Sequence, residues 1–395
     1  MPNLMLLFGT CTTGPLTYRK IDLFSFLVQG GTGKTELLSR TFSAEEAEFI
    51  DLLDPELESR LSAHPGQFNQ ILDALKGKKS VVVIDEIQKV PSLLEIVHQR
   101  INKKEFIFAL TGSSARKLKR GGANLLAGRA FVFNLFSLSE RELGDDFQLT
   151  SVLQYGSLPE IFHYHDEISK RRYLKAYTQT YLAEEIIAEQ IVRNLPPFRR
   201  FLEVAASADT QMINYSNFAR DIDSDPKTVS RYFGILEDTL LGFHLPAYSR
   251  SVRKQQRNAK KFYFFDTGVV RTLSQLIDEP LTPRSYGYGR LFESLIVNEI
   301  HKQLHYKEKQ FKLSYLNVSD SQEIDLIVEI GKSRVFACEI KSSERIDARH
   351  IKNLKTLAPD IPNAIPLVIC NAKREEKIDD IRILPWRQAI REICS

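Results

Sequence analysis

Cysteine is scarce. The chain has four, Cys11, Cys338, Cys370 and Cys394, far apart and without zinc-ligand spacing. That argues against a disulfide framework or a cysteine metal site and predicts reduced thiols in a cytoplasm. Long apolar runs are missing too. No stretch reaches the ~18 residues that a membrane-spanning helix needs, so no membrane partner is expected. The apolar opening, MPNLMLLFGTCTTG, lacks the basic start and small-residue cleavage site of a secretory signal. A large excess of one charge is absent as well. The net charge is +4, so any affinity for nucleic acid must come from a local patch and not from the whole-protein field. What is present is ordinary for a globular protein: 395 residues, 43% apolar and 26% charged, enough for two or three domains with separate cores.

The first informative stretch is QGGTGKTELL, residues 29–38. DLFSFLV before it reads as a buried strand, and TELLSRTF after it reads as a helix start. Strand, glycine loop and helix form the context of a phosphate loop, because backbone N–H groups must converge on a phosphate at a helix N-terminus. Gly30, Gly31 and Gly33 let the backbone curl closely around it, with Thr32 in the same loop. Lys34 would reach the β- and γ-phosphates, and the Thr35 hydroxyl would bind Mg²⁺. The plainer reading is a glycine-rich turn followed by an exposed lysine. One position departs from the usual spacing: Val28 stands where the first glycine belongs. Upstream, Gly9 and Gly14 repeat the spacing, with Pro15 in the place of the lysine.

Further along comes KKSVVVIDEIQKVP. Val81 to Ile84 make a strand apolar on both faces, as in a parallel sheet. It ends in Asp85 and Glu86, and two carboxylates at the end of a buried strand need a cation. Mg²⁺ would sit on Asp85, and Glu86 would polarise the attacking water. A third strand, EFIFALTGSS, ends in Thr111, Ser113 and Ser114, at the sheet edge where such folds place ligands.

The segments GGTGKT, VVVIDEIQKVP, LTGSSARKL and LLAGRAF, in this order, resemble the prokaryotic AAA+ ATPases that carry a C-terminal nuclease-like domain of uncertain function. The likeness runs from about residue 20 to the end. It implies ATP and Mg²⁺ as cofactors, Lys34 and Thr35 as the Walker A pair, and Asp85 and Glu86 as the Walker B pair. It also implies Ser113 or Thr111 as the γ-phosphate sensor. Arg129 is either an arginine finger serving a neighbouring subunit, which implies a homo-oligomer, or a surface salt bridge.

The middle of the chain divides by pattern. Residues 136–162 read as turn-rich, and 167–205 as helical, the lid of the ATPase. In residues 213–250, a short helix, a turn holding Asp225-Pro226 and the helix KTVSRYFGILEDTLL resemble a helix-turn-helix in a winged-helix domain. Lys227 and Arg231 lie in the N-terminal half of that second helix. RSVRKQQRNAKK follows, with Arg253, Lys254, Arg257, Lys260 and Lys261 and no acidic residue. The strand FYFFDTG comes after it. A basic loop between strands has the character of a DNA-contacting wing, though such regions also serve as protein contacts or lids.

The C-terminal region brings four charged residues into apolar elements: Glu293 in a helix over 289–304, Asp325 in a strand over 323–330, and Glu339 and Lys341 in a strand over 334–343. Glu339 and Lys341 share a strand face by the two-residue period. The pattern E…D…E-x-K resembles the PD-(D/E)xK nuclease fold, with Ile324-Asp325 in place of the Pro-Asp pair. That resemblance implies Mg²⁺ on Asp325 and Glu339, completed by Glu293, with Lys341 near the attacking water. A nuclease-like domain that binds without cutting stays open beside it.

The sequence thus predicts an α/β fold: an AAA+ P-loop sheet over 1–140, a helical lid over 141–210, a winged-helix region over 211–280 and a small restriction-endonuclease-like α/β domain over 281–395. The expected activity is ATP hydrolysis coupled to a DNA-binding, nuclease-like C-terminal half. The competing reading is an ATP-gated protein-interaction switch.

Overall fold

The computed structural model describes residues 23–28, 31–112, 131–181, 195–249, 259–319 and 322–395. The described residues up to Phe136, with Asp238–Leu240, form one compact unit, and the others from Ser137 onward form a second.

The first unit is built on a five-stranded parallel sheet. Its strands are β1 (Leu23–Val28), β2 (Ala47–Asp51), β3 (Val81–Asp85), β4 (Ile107–Gly112) and β5 (Phe131–Leu135), in the spatial order β2-β3-β4-β1-β5. The connections carry α1 (Lys34–Thr41), α2 (Pro55–Ala63), α3 (Gln67–Leu75) and α4 (Leu93–Asn102). Local chemistry explains the helix starts. Asp54 accepts from the backbone N–H groups of Glu56 and Leu57, and Pro55 occupies the first turn of α2, where its missing N–H costs nothing. The apolar run Val81–Ile84 is fully buried because both faces of β3 are covered. Phe68 and Leu72 of α3 and Leu93, Leu94 and Val97 of α4 pack with Val82, Ile84, Phe108 and Leu110 of the sheet.

The second unit begins with helices α5 (Leu149–Tyr155), α6 (Glu167–Ala176) and α7 (Leu195–Ser207). The stretch expected to be turn-rich also holds α5, and a capping box at Ser139 and Glu142 fixes a further short helix at Glu140–Leu143. Then come α8 (Tyr215–Asp221), α9 (Pro226–Asp238) and the antiparallel hairpin of β6 (Gly242–Leu245) and β7 (Lys261–Phe264). Met212 adds an antiparallel bridge to Lys261. The order is helix, bridge, helix, helix, hairpin. Phe233 of α9 welds these pieces together, its ring 4.8 Å from Phe201 of α7, 5.4 Å from Phe218 of α8 and 5.0 Å from Phe262 of β7.

The strand expected through Gly268 stops at Phe264. Asp266 accepts a hydrogen bond from the Val269 N–H at 3.0 Å and so caps a new helix, α10 (Thr267–Leu273). The long helix α11 (Tyr286–Tyr306) follows. It leads into a six-stranded mixed sheet of β8 (Phe311–Ser319), β9 (Gln322–Ile330), β10 (Arg334–Lys341), β11 (Ala364–Cys370), β12 (Glu376–Ile378) and β13 (Ile381–Pro385). The spatial order is β12-β13-β11-β10-β9-β8, with β11 parallel to both of its neighbours. Two more helices, α12 (Lys352–Leu357) and α13 (Trp386–Ile393), complete the unit. Leu354 and Leu357 of α12 pack with Ile324, Ile327, Val368 and Ile383 of the sheet.

Candidate functional site

Position 28 is strand and not turn: Val28 is the last residue of β1 and pairs in register with Leu135 of β5. An extended backbone accepts a β-branched residue readily. The left-handed backbone occurs later, at Gly31 with φ 76° and at Gly33 with φ 83°. Those are positions where a Cβ would be strained. Gly33 is the N-cap of α1, and Lys34 is its first residue, so the loop delivers its lysine at the positive end of a helix. Thr32 is buried, and Thr35 lies in the first turn of α1.

The Lys34 ammonium pairs with both carboxylates at the end of β3. Its Nζ lies 3.4 Å from Asp85 Oδ1 and in direct contact with Glu86 Oε1. All three side chains are largely enclosed, with relative exposures of 18%, 13% and 9%, so the pairing offsets a substantial desolvation cost. Glu86 itself has φ 58°, a left-handed backbone that a non-glycine residue adopts at a cost. It follows directly on β3 and caps the 3₁₀ turn Ile87–Lys89. Thr111, fully buried at the end of β4, ties the pair together. Its hydroxyl donates to Asp85 Oδ1 and accepts from the Glu86 N–H at 3.2 Å. Gln88 donates from its amide to Glu86 Oε2. Sequence reasoning passed over Gln88, although it follows the Asp-Glu pair by only two residues. This donor set fits a polyphosphate and its Mg²⁺: an ammonium at a helix start, two left-handed glycines beside it, and a strand-end carboxylate. Gly30, Ser113 and Arg129 lie outside the described residues.

The second cluster forms on the C-terminal sheet. Lys341 Nζ lies 2.6 Å from Glu339 Oε1 and 3.4 Å from Asp325 Oδ2, so one ammonium serves both carboxylates. Asp325 Oδ2 also accepts from the Ile340 N–H at 2.7 Å. Glu293, on α11, accepts from the Tyr263 hydroxyl at 2.7 Å and lies 3.6 Å from Lys261 Nζ. Burial, aided by the Asp325 charge, pushes the Glu339 carboxyl up to about 8, against the pull of Lys341. Burial likewise pushes Glu293 up to about 7, against the pull of Lys261.

Two expectations are corrected here. Lys261 was expected to face DNA. It is instead 5% exposed, and its ammonium pairs with Glu323 and Glu293. It is the first residue of β7, a strand whose four residues are all buried. The second correction concerns the Mg²⁺ shell of Asp325, Glu339 and Glu293. Among the described residues, no three His, Cys, Asp or Glu side chains are grouped so as to hold a metal ion. Glu293 is held by Tyr263 and Lys261, while Asp325 and Glu339 share Lys341, so the three carboxylates do not form one ligand shell. Glu323 was missed, though it lies two residues before Asp325 and so shares its strand face.

Of the other residues expected to face DNA, Lys227 and Arg231 are exposed on α9, and Lys260 is half-buried. Asp225 accepts from the Lys227 and Thr228 N–H groups at 2.9 and 3.0 Å, which fixes the start of that helix. Arg253, Lys254 and Arg257 lie outside the described residues.

Residues 29–144 match the family described as AAA domain. The parallel strand order and the loop geometry agree with that match. The rest of the chain matches two domains of unknown function, DUF8612 over residues 146–279 and DUF4143 over residues 288–389. An uncharacterized protein of Mycobacterium tuberculosis is 25% identical over 270 residues, covering 68% of this chain and 60% of that protein's own length. An uncharacterized protein of Methanocaldococcus jannaschii is 22% identical over 400 residues, covering 91% of this chain and 86% of its own. Among solved structures, domain III of the Thermotoga maritima replication initiation protein DnaA aligns at 16% identity with a TM-score of 0.25. That alignment covers 60% of this chain and 99% of the DnaA chain. Within residues 29–144, the loop, Asp85, Glu86 and Thr111 all lie at the carboxyl ends of the parallel strands, the edge where such sheets bind ligands.

Proposed function

We propose that the chain binds Mg²⁺-ATP at Lys34, hydrolyses it through Glu86, and couples that cycle to duplex DNA. The observation that carries the first part is the meeting of Lys34 with Asp85 and Glu86 beside Gly31 and Gly33. Bound Mg²⁺-ATP supplies the scissile phosphoanhydride. Lys34 and the N-terminus of α1 hold its anionic tail, with Thr35 and Asp85 on the metal side. Glu86 takes the proton of the attacking water, and Thr111 keeps the two carboxylates oriented. Lys34 leaves its carboxylate partners for the phosphates, so binding exchanges one charge pairing for another.

Calorimetry tests this directly. Wild type is expected to bind ATP in the presence of Mg²⁺, Lys34→Ala to lose binding, and Glu86→Gln to bind without turnover. No heat from wild type at millimolar ATP sinks the proposal.

The DNA part rests on the order of helix, bridge, helix, helix and hairpin, which is that of a winged helix, and on the exposed Lys227 and Arg231 of α9. Lys227→Ala with Arg231→Ala is expected to weaken duplex binding across all sequences. It should also flatten the salt slope by roughly one unit per lost phosphate contact. A specific observation favours the protein-interaction switch as a second reading of the C-terminal sheet: its carboxylates are paired with lysines, and among the described residues no three are grouped to hold a metal ion. DNA binding that is absent or indifferent to salt selects that reading.

A further inference from the structure

Four carboxylates from two strands and one helix are shared between two ammoniums: Glu293 and Glu323 pair with Lys261, and Asp325 and Glu339 pair with Lys341. Lys341 belongs to the E-x-K pattern itself. Lys261 does not; it comes from β7 of the hairpin, far away in sequence. Its backbone is anchored twice, paired with Leu245 in the hairpin and bridged to Met212. Its ammonium lies 3.6 Å from Glu293 Oε1, contacts Glu323 and stands 5.2 Å from the Tyr315 ring centroid. A cation held so closely among carboxylates and an aromatic face has few other places to go. Across the cluster, Glu339 Oε2 is buried and without a hydrogen-bond partner, an acceptor that the present arrangement leaves unused.

We infer that Lys261 is a built-in cation standing where a divalent metal would otherwise bind, and that it keeps the carboxylate cluster closed to metal. A monovalent ammonium fixed by its own strand supplies the positive charge that these buried carboxylates require. While it is in place, a divalent ion meets a like charge and two occupied carboxylates. With Lys261 removed, the cluster keeps four carboxylates against one lysine, and a hard divalent cation with oxygen ligands answers that charge. The inference needs neither ATP binding nor DNA binding by this chain, and it requires no cutting.

The test is a Mn²⁺ titration of the full chain, followed by calorimetry and by the electron paramagnetic signal of free Mn²⁺. Wild type is expected to show no Asp325-dependent site. Lys261→Met is expected to gain one site, at least about ten-fold tighter than anything in wild type, equivalent to ~1.4 kcal/mol. Adding Asp325→Asn should remove that site. Lys261→Gln, which keeps a donor toward Glu323, is the second variant and should behave the same way. If either variant is poorly folded, Mn²⁺ should raise its melting temperature, because the ion restores the missing charge. Wild type that already binds Mn²⁺ through Asp325 overturns the inference. So do variants that Mn²⁺ neither binds nor stabilises. A Lys261→Met protein that binds Mn²⁺ but leaves DNA intact upholds it and separates metal capture from nuclease activity.

Discussion

Thr111 shows how much a single hydroxyl organises. It is fully buried, donates to Asp85 and accepts from the backbone N–H of Glu86. Its partner Glu86 holds a left-handed backbone that a non-glycine residue does not adopt cheaply. Thr111→Val keeps the shape and removes the hydroxyl. Turnover is expected to fall by about 10–100-fold with a smaller change in KM, the usual effect of losing a group that orients a ligating carboxylate. An unchanged kcat would show that Asp85 and Glu86 are positioned without it. The residue types Asp, Glu and Thr were legible because each closes an apolar strand. Their mutual hydrogen bonds were not, because β1, β3 and β4 meet only in space. Asp209 makes a different prediction. It is buried and accepts from the Phe264 N–H at 2.8 Å. Burial pushes its carboxyl up to about 6 from an ordinary 3.8, with the Phe264 hydrogen bond pulling the other way. The folded state therefore holds this proton more tightly than the unfolded chain does. The associated stability is full below about pH 3.8 and is lost as pH rises through 6. Asp209→Asn should gain on wild type in melting experiments between those values, by an amount on the order of 3 kcal/mol at neutral pH. A constant difference across that range contradicts the assignment.

At the scale of elements, α9 is the hinge of the account. One face is buried through Val229, Tyr232, Phe233 and Leu236, and the other presents Lys227, Ser230 and Arg231. That split follows from helical spacing and is legible in the sequence. Phe233→Ala removes a ring packed against α7, α8 and β7. Denaturant unfolding is expected to report a loss of about 3–5 kcal/mol, and a loss below about 1 kcal/mol would mean the helix is held elsewhere. The strands of the C-terminal sheet were unevenly legible. β9 and β10 announce themselves by apolar runs with isolated charges. β8 mixes Lys312, Ser314 and Asn317 among its apolar residues, and β12 has only three residues, two of them charged, so neither stands out. Lys261 was misread for a related reason. Its neighbours in sequence are basic, but β7 turns its side chain toward carboxylates whose arrival depends on α11 and β9.

For the whole molecule, the sequence separated an N-terminal sheet with a phosphate-loop pattern from a charged C-terminal sheet because each carries its own apolar runs and strand-end charges. Compactness groups the chain differently from the four segments expected. Helices α5 to α10 and the C-terminal sheet belong to a single unit, because the hairpin strand β7 reaches α11 and the carboxylates through Lys261 and Tyr263. The small net charge of +4 makes a local basic surface the requirement for any DNA contact. The central claim is that Lys34, Asp85 and Glu86 form a working ATP site despite Val28. Steady-state ATP hydrolysis by the full chain with Mg²⁺ tests it most directly, comparing wild type with Glu86→Gln. The account predicts turnover in wild type and its loss in Glu86→Gln, with ATP still bound. Equal rates in the two proteins, or no turnover in wild type, would contradict it.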